Sequence, residues 1–315
     1  MLILLLSSCA SLKSGKINSP FDKSNCNQQV TPPYAKADLP KPIHEIEIDT
    51  AIASRFSFHA LNTANAIGVL NLLTTFVNLR KQYEQNPTIE QRIEIAELSR
   101  KINQRIIISS LEISAVASEM DCEEERADQI ATYLKSKEDD AETKLTVGAI
   151  IVGATGAIVA GALLASGDDS NAPEFIGIGA GLIEAALGLS ILANKRKVEF
   201  YHPRNALRDI WAAPDVSEIF PASVWYYLTY ENPGQAYKSV RQQLVDKWVS
   251  FGQIADTREK DKEKVHALFF GDGGQYTADQ LTNRANMHDQ IEAHINLMKQ
   301  NLKLLAVEFE KMHNE

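Results

Sequence analysis

Glu184 is the residue of this chain whose position most directly suggests a functional role. It is the only ionisable residue inside two apolar runs, residues 145–167 and 175–193. In a bilayer its charge would be costly unless the carboxylate were protonated, paired or facing water, so by default such a glutamate is a candidate functional site. The alternative is that Glu184 lies on the solvated face of a hairpin that never enters lipid.

Three other segments contain groups typical of active or metal sites, but none has the spacing that such sites need. Residues 269–277, FFGDGGQYT, lack the Lys-Ser/Thr of a phosphate-binding loop and the ligand run of an EF-hand, so we predict a turn. The carboxylates of residues 121–126, DCEEER, would point in different directions around a helix and not converge on a metal, so we predict a solvated helix face there. His288 and His294 do not have the i, i+4 spacing of a zinc-binding helix. We therefore expect no catalytic, cofactor-binding or metal-binding residues, and a protein that is not an enzyme.

The N-terminal sequence MLILLLSSCASLKSG contains an apolar run, then Leu6, two small residues and Cys9. This order resembles the signal and lipobox of bacterial lipoproteins. The resemblance implies cleavage before Cys9, acylation of its thiol and amine with fatty acids such as palmitate, and attachment to the cell envelope. Ala10 follows the cysteine, which in that family points to the outer membrane. A fortuitous apolar N-terminus and a longer, uncleaved anchor are the alternatives.

Two further cysteines, Cys26 and Cys122, remain once Cys9 is assigned to lipid. In an oxidising compartment this even pair suggests a disulfide between the N-terminal segment and a long helix. Two free thiols are the alternative, because a sequence does not show whether two Cα atoms approach within roughly 7 Å.

The two apolar runs around Glu184 predict a membrane-type helical hairpin. The first carries no charge and has the roughly 20 residues that a spanning helix needs. Small residues four positions apart let helix backbones approach closely in lipid, where packing must hold helices together. They suit packing within the hairpin, between subunits, or both; a hairpin buried in a soluble protein is the alternative. These small residues are Ala149, Gly153, Ala157 and Gly161 in the first run and Gly177, Gly181 and Ala185 in the second.

The charges at the two ends of the hairpin conflict with the lipobox. Asp168 and Asp169 occupy the turn, and Lys195, Arg196 and Lys197 follow the second run, so charge bias would place the body in the cytoplasm. A lipoprotein body starts outside the cytoplasm. The conflict favours a hairpin that inserts after export, or one that does not insert.

The rest of the chain predicts an elongated all-α bundle. Residues 88–147 contain neither glycine nor proline, and as one helix they would extend about 90 Å. A seven-residue apolar repeat in this stretch, interrupted by Ser109 and Glu123, requires partner helices, as in a coiled coil. The segment after Thr277, which begins with a Thr277/Gln280 capping box, supplies one. The repeat comprises Ile95, Ile102, Val116 and Ile130 in one row and Ile106, Ile113, Met120 and Leu134 in the next.

The predicted organisation has six parts. They are the signal at 1–9, a disordered tether at 10–46, long bundle helices at 47–144, the hairpin at 145–194, a short-helix subdomain rich in proline and aromatic residues at 195–233, and C-terminal bundle helices at 234–315. The aromatic cluster Trp225, Tyr226, Tyr227 and Tyr230 has two explanations, headgroup-level rings or a compact core.

Composition and architecture favour a membrane partner. The formal net charge of −9 argues against nucleic acid. In outline, residues 48–312 resemble the alpha-helical pore-forming toxins, whose long helices flank a hydrophobic hairpin, and the stretch CEEERADQIATYL is similar to bacterial lipoproteins of uncharacterised function. We expect an envelope-anchored protein whose hairpin enters a bilayer and forms homo- or hetero-oligomers. The alternative is a structural or adaptor lipoprotein that uses the hairpin as a permanent anchor or docking surface.

Overall fold

The computed structural model describes residues 24–28, 33–166, 170–193, 195–234, 238–254 and 259–314. Within this part of the chain there are ten α-helices, two single-turn 3-10 helices at Lys36–Asp38 and Ile43–Glu45, and one two-stranded sheet. The all-α prediction is confirmed. In chain order the elements are α1 Thr50–Ala53, α2 Phe58–Ala66, α3 Leu70–Gln85, α4 Ile89–Ala165, α5 Ala172–Ala193, β1 Val198–Tyr201, α6 Ala206–Ala212, α7 Ala222–Thr229, α8 Val240–Ser250, α9 Glu259–Phe270, β2 Gly273–Tyr276 and α10 Ala278–Asn314.

Helix α4 is the dominant element, with 77 residues and a length of about 115 Å. It starts at a capping box: the Gln91 N–H donates to the Thr88 hydroxyl, and the Thr88 N–H donates to the Gln91 side chain, both at 3.2 Å. Because nothing interrupts the helix before the apolar run, the predicted bundle helix and the first arm of the hairpin are one continuous element.

Helix α10, which is 37 residues long, packs antiparallel along the middle of α4 and forms the centre of the body. Both predicted rows of the seven-residue repeat lie in the core, and all their members are buried except Ile95, which is partly buried. The two interruptions are accommodated differently. Ser109 is fully buried among the apolar side chains, whereas Glu123 is buried in an ion pair with Arg126, with 2.8 Å between carboxylate and guanidinium.

The segment after the hairpin contains a strand that the sequence did not predict. β1 pairs antiparallel with β2, and Phe200 lies opposite Gly274. The predicted turn at 269–277 is therefore partly a strand. Gly273 has a φ of +103°, and a Cβ there would overlap the carbonyl oxygen of Phe200, so this close pairing needs glycine. In the aromatic cluster Trp225 is almost fully buried, which supports the core explanation.

From residue 33 onward, the predicted tether packs on the body. The Tyr34 hydroxyl donates to the carbonyl of Phe220 at 3.0 Å, the Asn65 amide donates to the carbonyl of Lys41 at 2.8 Å, and Ile43 is buried. The prediction of disorder up to residue 46 is wrong for this part, because apolar side chains and backbone groups of the segment find partners on the body.

The Cys26–Cys122 disulfide is present, with the two Cα atoms 5.5 Å apart. It fixes the N-terminal segment to the middle of α4. Next to it the Ser24 hydroxyl donates to the Glu123 carboxylate. Cys9 and the rest of the lipobox lie outside the described residues.

Candidate membrane-inserting hairpin

The apolar hairpin projects from one end of the body. The body makes its outermost contacts with α4 near Lys135, which approaches Thr282, and at Glu138, whose carboxylate accepts from the Arg196 N–H at 2.6 Å. Beyond Glu138, α4 continues for about 40 Å with α5 alongside it. The predicted hairpin is therefore an extension of the bundle and is not folded against it.

The hairpin exposes apolar side chains along its whole length. Two helices of the described chain, α4 and α5, are long and apolar enough to cross a membrane, and only 6% and 0% of their apolar windows are buried. The bent pair α2 and α3 also meets this criterion when taken together, but both helices contribute to the core of the body. Exposed apolar surface of this extent marks an interaction or membrane site. Residues exposed by 65–71% include Ile150, Ile158, Phe175, Leu182 and Leu189.

The apolar part of the hairpin matches the thickness of a bilayer. α5 is 22 residues long, about 33 Å, and the apolar end of α4 has a similar length, against a hydrocarbon core of roughly 30 Å. Charged residues sit where the hairpin meets the body: Asp139, Asp140, Glu142, Lys144 and Lys195. Helices satisfy their own backbone hydrogen bonds, so this segment can enter hydrocarbon without unpaired peptide groups.

The small residues through which the two hairpin helices pack overlap only in part with the predicted set. Gly156 is buried, and a Cβ built there would lie 2.7 Å from the Cβ of Ala180. Of the predicted residues, Ala149 and Gly153 are half-buried on the side that faces α5. The others are exposed, so of the two predicted roles, packing within the hairpin or between subunits, only packing between subunits remains a prediction for them: Ala157, Gly161, Gly177, Gly181 and Ala185.

The physical reason is the helical period. A step of four residues turns about 400°, so a strict four-residue strip drifts by about 40° at each step and leaves the interface. Two antiparallel helices stay in contact along alternating steps of three and four. Gly156 is three residues after Gly153 and lies on that path.

Glu184 lies near the middle of α5, and its carboxylate is packed across the hairpin against Gly153. A Cβ built at Gly153 would overlap Oε1 of Glu184, so glycine makes room for the carboxylate. Glu184 remains largely exposed and has no salt bridge within the described residues. Its pairing with Gly153 was missed from the sequence, although a signal existed, because the two positions are equidistant from the Asp168–Asp169 turn.

The acidic segment 121–126 is only partly the solvated face that its sequence predicted. Cys122 is in the disulfide, Glu123 and Arg126 are buried together, and Arg126 also donates to the carbonyl of Tyr201 at 3.2 Å. Long-range partners on β1 and the N-terminal segment explain the difference. Among the described residues, no group of three or more potential metal ligands is present.

His288 lies in the α4–α10 core with neither ring nitrogen hydrogen-bonded. Nearby, Arg284 is fully buried and donates to the carbonyl of Phe269 at 3.1 Å. His202 contacts the Tyr276 hydroxyl through Nε2 at 2.8 Å. Burial, and then the positive charge of Arg284, lowers the pKa of His202 to about 2 and also lowers the pKa of His288. These neutral histidines are part of the packed contact between the two-stranded sheet and the helical bundle.

Comparison with known protein families, with characterised proteins and with solved structures finds no match to this chain.

Proposed function

We propose that the protein acts at a membrane by inserting the hairpin formed by the end of α4 and α5, while the helical body stays outside the bilayer. The observation that carries this proposal is the projecting hairpin, whose apolar windows are almost entirely unburied. Burying one large aliphatic or aromatic side chain yields about 1.5–3 kcal/mol. The many exposed side chains of the hairpin therefore provide a strong driving force for transfer into lipid.

A lipid on Cys9 would reach the same membrane as the hairpin. Along α4, Cys122 and the start of the apolar run at residue 145 are about 35 Å apart. The chain from Cys9 to Ser24 can extend up to about 50 Å. Anchor and hairpin can thus enter one bacterial envelope membrane together, which supports a lipid-anchored protein with a second, helical attachment.

Oligomers would form through the outward face of the hairpin. The exposed small residues Gly161, Gly177 and Gly181 have no atoms near the place of a Cβ and leave that surface open to another hairpin. Close packing of small residues is a usual way for helices to associate in lipid. In such an assembly Glu184, at mid-depth, would be beside an aqueous path, because an ionised carboxylate in hydrocarbon alone would be unstable.

Dye leakage from liposomes tests this function. The full-length Cys9→Ser protein lacks the lipid attachment site, and we expect it to bind liposomes and release dye. Glu184→Ala is expected to change the leakage rate, and an unchanged rate would contradict its role beside the path. Failure of the Cys9→Ser protein to associate with liposomes would contradict hairpin insertion itself.

A permanent anchor is the second candidate function, and the position of Glu184 favours it. The carboxylate contacts Gly153 across the hairpin, so the two helices already pack against each other without a further copy of the chain. In this case the protein would be a structural or adaptor lipoprotein. Extraction only with detergent, without any dye leakage, would support the anchor over the pore-forming function.

A further inference from the structure

The body contains a cavity of about 260 Å³ between α2, α7, α8 and α10, which the proposed membrane function does not use. We infer that this cavity binds a neutral sugar, such as one unit of a glycan chain. The cavity and its lining are independent of hairpin insertion, whereas the choice of a glycan over a lipid headgroup rests on the proposed function. Six residues of the lining carry it: Phe58, Tyr227 and Tyr230 with aromatic rings, and Asn62, Gln243 and Asn301 with amides.

The aromatic part of the wall offers rings that a ligand can reach. Phe58 is 41% exposed, and Tyr227 and Tyr230 are half-buried. Tyr230 stacks on Tyr226 with 5.3 Å between ring centroids, and Tyr226 is held by a 2.8 Å hydrogen bond from its hydroxyl to Asn62. The ring of Tyr230, fixed in this way, and its two accessible neighbours suit the C–H face of a pyranose, which is apolar while its edge carries hydroxyl groups.

The polar part of the wall has unused donors and acceptors. Asn301 and the Tyr227 hydroxyl have no hydrogen-bond partner among the described residues. Gln243 uses only its nitrogen, which donates to the carbonyl of Lys238 at 2.8 Å and leaves its oxygen free. An amide both donates and accepts, as does a sugar hydroxyl, so these groups can pair with the edge of a sugar ring.

The charges around the cavity favour a neutral ligand. None of the described residues that line it is acidic, and the ammonium of Lys238 is paired with Asp246 at 2.6 Å. A quaternary ammonium group, which an aromatic cavity can attract, would find no carboxylate to pair with among these described lining residues. The volume is below the roughly 300–1,000 Å³ of sites for drug-sized molecules, which fits a small ring.

The position of the cavity favours a glycan over a lipid headgroup. Met298 lines the cavity, whereas Asp279, near the start of the same helix, pairs with Lys195 where the hairpin joins the body. The two positions are about 30 Å apart along α10. With the hairpin in a bilayer, the cavity would lie well above the headgroups.

Isothermal titration calorimetry tests the inference. The full-length protein, in a detergent without a sugar headgroup, is titrated with chitotriose and with cellotriose, which separates N-acetylated from plain sugars. We expect binding of at least one of them. Phe58→Ala should weaken it at least tenfold, and Tyr227→Phe, which removes one hydroxyl and keeps the ring, by roughly two- to tenfold.

Two matched substitutions outside the cavity serve as controls: Phe251→Ala, at a phenylalanine that is 69% exposed, and Tyr133→Phe, at a tyrosine that is 47% exposed. Neither should change the affinity. The inference is overturned if neither sugar binds, if the cavity variants bind as tightly as the controls, or if choline binds in the cavity and the sugars do not. Equal thermal midpoints for Tyr227→Phe and Tyr133→Phe show that lost binding is not lost folding.

Discussion

An arginine at the centre of the hairpin should greatly weaken membrane binding while leaving the fold intact. Leu182 is in the middle of α5 and is 68% exposed, so Leu182→Arg adds a charge without disturbing a packed core. Leu111, on the part of α4 that belongs to the body, is 64% exposed and provides the matched control. The two substitutions are chemically identical and differ only in whether the site enters lipid.

The magnitude follows from the depth of the site. At the centre of a spanning helix, leucine contributes about −0.3 to −0.6 kcal/mol and arginine costs about 2.5–3.5 kcal/mol. The difference of about 3–4 kcal/mol corresponds to roughly 100- to 1000-fold weaker partitioning. Leu111→Arg should leave partitioning within about twofold, because a solvated arginine loses no hydration.

Flotation with liposomes of neutral phosphatidylcholine gives the measurement, in the Cys9→Ser background so that no acyl chain masks the effect. Circular dichroism and thermal unfolding should be the same for both variants. The reasoning is refuted if Leu182→Arg floats like the parent protein. It is also refuted if Leu111→Arg loses binding to the same extent, because added charge and not depth would then be responsible.

Three further predictions concern packing, the disulfide and pH. Gly156→Ala should force the hairpin helices apart and destabilise their contact by about 1–3 kcal/mol, seen as a longer distance between spin labels on α4 and α5; Gly161→Ala, where space is open, should leave that distance unchanged. Reduction of the disulfide, which closes a loop with a sequence separation of 96, should lower the free energy of unfolding in urea by about 4–5 kcal/mol, and a change below about 1 kcal/mol would contradict this. The pKa values of His202 and His288 are lowered in the folded protein, so below about pH 6.5 the unfolded chain binds protons that the folded protein does not. The free energy of unfolding is therefore highest above that pH. It falls by about 1.4 kcal/mol per pH unit for each histidine as the pH drops. His288→Leu should reduce this slope in urea titrations by about 1.4 kcal/mol per pH unit, and an unchanged slope would exclude His288 as a source.

Local signals in the sequence predicted the long helices well. The capping boxes at Thr88 and Thr277 are both present, the latter with 2.9 Å from the Thr277 N–H to the Gln280 side chain. The absence of glycine and proline from residues 88–147 predicted an uninterrupted helix over that stretch. These signals depend on residues within one or two helical turns of each other, so the sequence alone is sufficient to predict the helices.

Features that depend on distant partners were missed. β1 pairs with a glycine-rich strand more than 70 residues later in the chain. No sequence feature near Val198 predicts this partner. The burial of Glu123 requires Ser24 and Arg126 together, one of them from the N-terminal segment. In the hairpin, a strip with a strict step of four leaves the contact between α4 and α5 because a real helix drifts, so five of the seven predicted small residues are exposed.

The unbroken course of α4 from the bundle into the hairpin has a geometric consequence. Body and hairpin share a single helical register, so the hairpin cannot rotate about its axis without turning the helix on which α10 is packed. Inserting one residue between Asp139 and residue 145 would swing the hairpin by about 100° and advance it by about 1.5 Å. Inserting seven would nearly restore the original azimuth while lifting the body by about 10 Å. Helix α4 is therefore a rigid spacer that sets both the height and the orientation of the body above any membrane that the hairpin enters.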